Sequence, residues 1–344
     1  MSASLPRVAI VGATGAVGTE LIACLQQRQF GLSDLRLFAS ERSAGKRMPY
    51  ANESLSVETL SEDAFRRSDI ALFCAGGARA RQFAPFAVRA GAIVIDNSSA
   101  FRMDSDVPLV VPEVNPEAIG QHHGIIANPN CVAIITVVPL WPLHRQFGVR
   151  RVIAATYQAA SGAGAAAMQE LREATRAALA GESYPPRVLR HPYAFNLFSH
   201  DTALDPASGS NEEEIKVGRE LCKIMGSPQL RVSVTCIRVP VLRAHTIALN
   251  VEFERAVSPE AARELLGGAD GVRVVDHVER NHFPMPVEAS GQGDVLVGRI
   301  RRDGSDPSGR SLSLLVAGDQ LLKGAALNAV QIAEALRSGA AGAR

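Results

Sequence analysis

A strand, a glycine turn and a helix follow one another near the start of the chain, and they constrain the fold more than any other feature. Residues 7–11 form an apolar run that ends in Gly12-Ala13-Thr14-Gly15-Ala16-Val17-Gly18, after which Val17, Leu21, Ile22 and Leu25 fall on one helical face. The Gly-x-x-Gly-x-x-Gly spacing differs from the usual G-x-G-x-x-G, but the physics is similar. Glycines permit a tight turn, and backbone N–H groups at a helix N-terminus face a pyrophosphate. An ordinary βα turn would show the same glycines. The position of this one, between a first strand and a first helix, favours a dinucleotide held by Gly12, Ala13, Thr14, Gly15, Ala16 and Val17.

Further strand-length apolar runs occur at Leu35–Phe38, Ile70–Phe73 and Ala92–Ile95, with a helical stretch at 78–90 between the last two. Short strands alternating with helices over the first 130 residues predict a parallel, doubly wound sheet. Val132–Leu143 is a core helix by length, despite Pro139 and Pro142. Beyond residue 150 the pattern changes. A strand at Arg151–Gln158, a small-residue turn at Ser161–Gly164 and an Ala-rich helix to about Ala180 come first. Residues 181–210 lack periodicity and read as a long loop, and Glu212–Met225 as a helix. Strands at 230–239, 246–254, 272–277, 295–301 and 311–317, with a helix at 258–267, predict a largely antiparallel or mixed sheet covered on one face by helices. A last helix, Gln320–Leu336, is long enough to return to the first domain, and the tail Ser338–Arg344 is expected to fray.

The 344 residues suffice for about two domains of ~150 residues each. With 36 Lys+Arg against 35 Asp+Glu, the net charge of +1 leaves no electrostatic footprint for nucleic acid. Five scattered cysteines without a C-x-x-C pair argue against a disulfide framework and against structural zinc, so no metal is expected. No basic leader or uncharged run of about 18 apolar residues is present, which predicts a cytoplasmic protein with no membrane span.

Three segments carry chemistry. Ser40-Glu41-Arg42-Ser43-Ala44-Gly45-Lys46 follows the second strand, where an acidic residue selects NAD through the ribose 2′-hydroxyl. Arg42 with Ser40 and Ser43 suits the 2′-phosphate of NADP instead, and an ordinary charged loop is the plain alternative. Asn128-Pro129-Asn130-Cys131 precedes an apolar stretch, placing Cys131 in the first turn of a buried helix. The positive helix end there favours a thiolate nucleophile. A structural thiol is the competing reading, and it suits Cys24, Cys74 and Cys236, which sit in apolar patterns. Cys222 lies mid-helix between charged residues. In Arg238-Val239-Pro240-Val241-Leu242-Arg243-Ala244-His245, His245 follows a strand and is a better base candidate than the other seven histidines. Taken alone, any of the eight would be a solvated surface residue.

Together the motifs resemble the aspartate-semialdehyde dehydrogenase family over nearly the whole chain and in the same order. They are Gly12–Gly18, Arg42–Lys46, Asp96-Asn97-Ser98-Ser99-Ala100-Phe101-Arg102, Val110–Asn115, Asn128–Cys131, Gln158–Gly164, Asn211–Lys216, Arg238–His245 and Lys323–Asn328. The resemblance implies an NADP-binding domain, 1–130, completed by the C-terminal helix 320–337, and a catalytic and dimerisation domain, 131–319. It implies reversible, NADP-dependent reduction of L-aspartyl 4-phosphate to the semialdehyde by a homodimer, with Cys131 forming a thioester. His245 matches the general acid/base and Gln158 the residue orienting the intermediate. Arg238 matches the ligand of the substrate carboxylate, Glu213 that of its ammonium, and Arg102 with Lys216 the phosphate pair. Ser161, Gly162 and Asn328 match further cofactor contacts. An i,i+3 surface pair is the plain alternative for Glu213 and Lys216. The stretch Phe195–Gly209 is less like the family than its flanks. The competing functions are a related acyl-phosphate reductase, such as N-acetyl-glutamyl-phosphate reductase, and a non-catalytic NADP-binding paralogue.

Overall fold

In the computed structural model, which describes residues 5–338, the first apolar run is strand β1 (Arg7–Val11) and the helix after the glycine turn is α1 (Ala16–Gln27). Gly12 takes φ +94°, and a Cβ on Gly18 would lie 2.3 Å from the Gly12 carbonyl oxygen, so α1 approaches the turn at a distance only glycine allows. The buried face of α1 runs through Gly18, Leu21, Ile22, Cys24 and Leu25, with Val17 only half-buried at its margin. Next come β2 (Asp34–Ala39), β3 (Arg47–Tyr50), β4 (Glu53–Thr59), β5 (Ile70–Phe73), α2 (Gly77–Arg89), β6 (Ile93–Asp96) and β7 (Ile125–Ala127). The sheet order is β3-β4-β2-β1-β5-β6-β7. Every neighbouring pair is parallel except β3–β4. All four residues of β5 are buried, as expected of an interior strand covered on both faces.

The edge pair β3–β4 was not foreseen from the apolar runs. Its strands are polar, and only Val57 is fully buried, so the hydrophobic pattern that marks interior strands is missing. Pro49 is tolerated there because an edge strand has an N–H side without a partner.

Cys131 opens α3 (Cys131–Phe147), whose residues Val132 to Leu140 are all buried. β8 (Val149–Gln158), α4 (Ala165–Leu179), β9 (Phe198–Ser199), α5 (Glu212–Ile224), β10 (Arg231–Arg238), β11 (His245–Phe253) and α6 (Pro259–Gly267) follow. β12 (Val272–Val274), α7 (Pro286–Ala289), β13 (Val295–Arg302) and β14 (Ser311–Gly318) complete a mixed sheet ordered β12-β13-β14-β11-β8-β10-β9. β8–β10 and β12–β13 are parallel and the other pairs antiparallel. Along β8, Val152, Ala154, Thr156 and Gln158 are buried, whereas Ile153 and Tyr157 are 41% and 37% exposed. One face of the sheet is thus covered and the other open.

The chain forms two compact units: residues to Asn130 with those from Ala325 onward, and Cys131–Gly324. The last helix is shorter than the apolar pattern implied. A π-turn occupies Leu322–Ala326, and regular α8 (Leu327–Arg337) begins only after it. The Asp319 carboxylate accepts from the N–H groups of Leu321 and Leu322, and the Asp319 carbonyl accepts from the Gly324 N–H at 3.0 Å, the five-residue spacing of a π-turn. The expected frayed tail from residue 339 lies outside the described residues, as do residues 1–4. Among the described residues, no helix is long and apolar enough to cross a membrane.

Candidate active site

Three strand ends meet in the second unit. β8 and β10 run parallel and in register, so Gln158 at the end of one pairs with Arg238 at the end of the other. β11 runs back antiparallel to β8, with Thr246 opposite Tyr157, and brings its first residue, His245, to the same place. His245 is therefore the start of a strand rather than a residue trailing one, and it is fully buried.

Cys131 Sγ lies 3.5 Å from His245 Nε2. The other ring nitrogen, Nδ1, accepts from the Ala159 N–H at 3.0 Å. A neutral imidazole that accepts at Nδ1 carries its proton on Nε2, which makes His245 a donor toward the sulfur. Burial holds the ring neutral, pushing its pKa well below the ordinary imidazole value, and the Arg238 cation and His200 add to the effect. The carbonyl of the same Ala159 accepts from Arg238 Nη1 at 3.0 Å. One peptide unit thus orients both the imidazole and the guanidinium.

Arg238 is buried, and its Nε has no hydrogen-bond partner. A buried donor left unpaired is costly in a folded protein, and an anionic group fits that position. Gln158 accepts from Thr156 Oγ1 at 3.1 Å and donates to Glu213 Oε1 at 3.2 Å. Glu213 stands in the first turn of α5. Lys216 pairs with Glu212 at 3.2 Å, one turn apart on the same helix. Arg102 belongs to the first unit, where its guanidinium donates to the carbonyls of Asn128 and Asn97 at 2.9 and 2.8 Å.

Ser161 Oγ accepts from Gln320 Nε2, and Gln320 Oε1 accepts from the Ala244 N–H. An added methyl on Gly162 would lie 3.0 Å from His245 Cε1 and 3.3 Å from Arg238 Nη1. One on Gly324 would lie 2.9 Å from Cys131 Cβ. Gly324 stands in the motif Lys323–Asn328, but neither it nor Gln320 nor His200 is among the site residues the sequence suggests. Nothing in a polar loop or at the edge of a helix-like run marks Gln320 and His200. Burial pushes the thiol pKa values of Cys74 and Cys236 up to about 12, and it also raises that of Cys222. All five cysteines are free, and no cluster of three metal-ligating side chains occurs among the described residues.

In the first unit, no side chain caps the N-terminus of α1, so its first N–H groups face outward over the glycine turn. Thr14 Oγ1 donates to Ser43 Oγ at 3.2 Å, joining that turn to the second loop. Beside it opens a cavity of about 380 Å³ lined by Ser40, Glu41, Arg42, Thr59, Arg79 and Gln82. These groups fit a dinucleotide: backbone donors for its pyrophosphate and two cations at one end. Asn328 is fully buried, its amide donating to Val110 O and Asn128 Oδ1.

A dinucleotide-type parallel sheet in one unit and a cysteine–histidine pair at the strand ends of a mixed sheet in the other define a class of two-domain oxidoreductases. The chain matches the model of the semialdehyde dehydrogenase NAD binding domain over residues 7–122, and that of the semialdehyde dehydrogenase dimerisation domain over residues 140–323. The aspartate-semialdehyde dehydrogenase of Synechocystis sp. is 50% identical over 330 residues, covering 96% of this chain and 97% of that protein. The chain belongs to the aspartate-semialdehyde dehydrogenase family. Among solved structures, aspartate semialdehyde dehydrogenase II from Vibrio cholerae, complexed with ASA, superposes with a TM-score of 0.94 at 40% identity, covering 98% of this chain and 99% of that one. The enzyme from Candida albicans with NADP gives a TM-score of 0.75 at 25% identity, with 97% and 99% coverage.

Proposed function

We propose that the protein catalyses the reversible, NADP-dependent interconversion of L-aspartyl 4-phosphate with L-aspartate 4-semialdehyde and phosphate. The observation that carries this reading is the 3.5 Å approach of Cys131 Sγ to a neutral His245, in one hydrogen-bonded set with Gln158, Glu213 and Arg238. The Synechocystis relative and the ASA complex support the substrate.

In the reductive direction the Cys131 thiolate forms an S–C bond to the acyl carbon, and the C–O bond to phosphate breaks, giving a thioester. The nicotinamide cofactor, when bound, supplies the hydride that takes the thioester to the aldehyde level. Each tetrahedral oxyanion collapses without net proton transfer, the first expelling phosphate and the second the Cys131 thiolate. The acid–base role implied for His245 then takes the form of hydrogen-bond donation from Nε2 to sulfur and oxyanion. Arg238 receives the α-carboxylate with a fork that includes its unpaired Nε, Glu213 receives the ammonium, and Lys216 and Arg102 serve the phosphate.

For the cofactor, Arg42 and Arg79 set two cations against the one carboxylate of Glu41 on the same cavity, which suits a 2′-phosphate. The NADP in the Candida structure supports this choice. The open face of the mixed sheet suits a second copy of the chain. Ile153, Ala155 and Tyr157 of β8 share it with Thr246 and Ala248 of β11, an apolar and hydroxyl surface in a segment matching a dimerisation domain.

The test is NADPH formation from aspartate semialdehyde and phosphate, with N-acetyl-glutamate semialdehyde in parallel. Wild type is expected to prefer the first substrate. Cys131→Ala should lose turnover while keeping its circular dichroism, and Arg42→Ala should lose preference for NADP over NAD. Activity surviving Cys131→Ala would refute the thioester.

A further inference from the structure

His200 lies in the aperiodic stretch 181–210, and nothing in the sequence distinguishes it from a solvated histidine. In the fold it is buried. β9 pairs antiparallel with β10, setting Phe198 opposite Arg238, and the His200 N–H continues this pairing onto the Cys236 carbonyl at 2.8 Å. Asn211, the N-cap of α5, donates from Nδ2 to the His200 carbonyl at 3.4 Å. The backbone of His200 is thus tied to a strand on one side and a helix start on the other.

Its ring is used completely. Nε2 lies 2.7 Å from Arg238 Nη2. A guanidinium only donates, so Nε2 must offer a lone pair, and the ring proton sits on Nδ1. Nδ1 lies 3.3 Å from Thr202 Oγ1, which also accepts the Glu213 N–H at 3.3 Å. A single relay therefore runs from Arg238 through His200 and Thr202 to the backbone of Glu213. Its two ends are the residues read as ligands of the carboxylate and the ammonium.

We propose that His200 is a positioning residue: as a neutral hydrogen-bond acceptor it holds the Arg238 guanidinium in the orientation that receives the substrate carboxylate. The role rests on the functional reading above, but the hydrogen bond behind it does not. Without His200, Arg238 keeps only the Ala159 carbonyl, and its fork is free to rotate. Protonation of His200 removes the acceptor and sets two cations against each other. The groups facing the ring are Arg238 on β10, Glu213 and Lys216 on α5, Asp201 in its own loop and His245 on β11. Burial, then Arg238, lowers the His200 pKa, while Glu213 and Asp201 oppose them. The acceptor form is accordingly the one present at neutral pH.

Two measurements test this. In steady-state assays on aspartate semialdehyde, His200→Ala should raise KM about tenfold, the scale of a hydrogen bond to a charged group, with kcat changed less than threefold. His200→Gln, whose carboxamide oxygen reaches about as far as Nε2, should restore most of the loss. It should also remove the rise in KM expected of wild type on acidification toward pH 5. An unchanged KM in His200→Ala, or a Gln variant no better than Ala, would overturn the proposal. Independently of any substrate, long-range nitrogen-15 spectra of histidine-labelled wild type should show His200 as the neutral Nδ1–H tautomer at pH 7. An Nε2–H tautomer or a charged ring would overturn the proposal even if turnover is as expected. Failure of wild type to use aspartate semialdehyde would instead count against the functional reading, and KM would then be measured on the semialdehyde it prefers.

Discussion

Ala159 has no side-chain function, yet its N–H and carbonyl set the protonation geometry of His245 and the pose of Arg238. The acid limb of the pH profile follows from this. A proton on Nδ1 breaks the bond from Ala159, and burial resists it, so the neutral ring persists as pH falls through the ordinary imidazole range near 6.5. Because the folded pKa is lowered, kcat/KM is expected to stay level down to about pH 6.5 and to fall only below it. A limb centred at or above that value would contradict the assignment. At this scale the sequence offers Cys131 at a helix start and His245 at a strand border as candidates, and it takes the resemblance in motif order to single them out and to add Gln158. His200 was not legible, because a histidine in an aperiodic loop looks the same whether it is solvated or pressed against an arginine.

Helix α5 shows how an element carries a site residue. Asn211 accepts from the Glu214 N–H at 3.0 Å and Glu214 returns a bond to the Asn211 N–H at 2.9 Å, a full capping box. Glu213 sits between them in the first turn, so the cap that starts the helix also places the carboxylate. Asn211→Ala should cost about 1 kcal/mol of stability, read in denaturant unfolding, and raise KM for the semialdehyde as the first turn frays. Loss of stability with unchanged KM would separate the cap from the site. The helix is plain in the sequence, and the structure adds the capping box that starts it. The π-turn at Leu322–Ala326 is not plain there, because apolar periodicity does not record a local change from four- to five-residue backbone bonding, here from the Gly324 N–H to the Asp319 carbonyl. The β3–β4 edge was hidden for the opposite reason, since half-solvated strands lose the apolar pattern.

On the scale of the whole molecule, the open face of the second sheet is where a second copy is expected. The double variant Ile153→Asp, Tyr157→Asp places two charges on that face, each opposite an uncharged partner on β11, Asn250 and Thr246. Light scattering should find wild type at twice the chain mass and the variant at the single-chain mass. A variant that stays at the wild-type mass would move the interface elsewhere.

Local regularity, from the period of apolar residues to the glycine turn and the cysteine at a helix start, was determined by the sequence alone, because each depends on neighbours a few residues apart. The order of motifs along the chain was enough to carry the family. The tertiary structure alone decided which polar groups meet: His200 with Arg238 across 38 residues, Ala159 with His245 across 86, and Cys131 with His245 across 114. Those meetings depend on strand order and register, which are set by burying one face of a sheet. No local pattern records which distant partner that burial will bring into hydrogen-bond range.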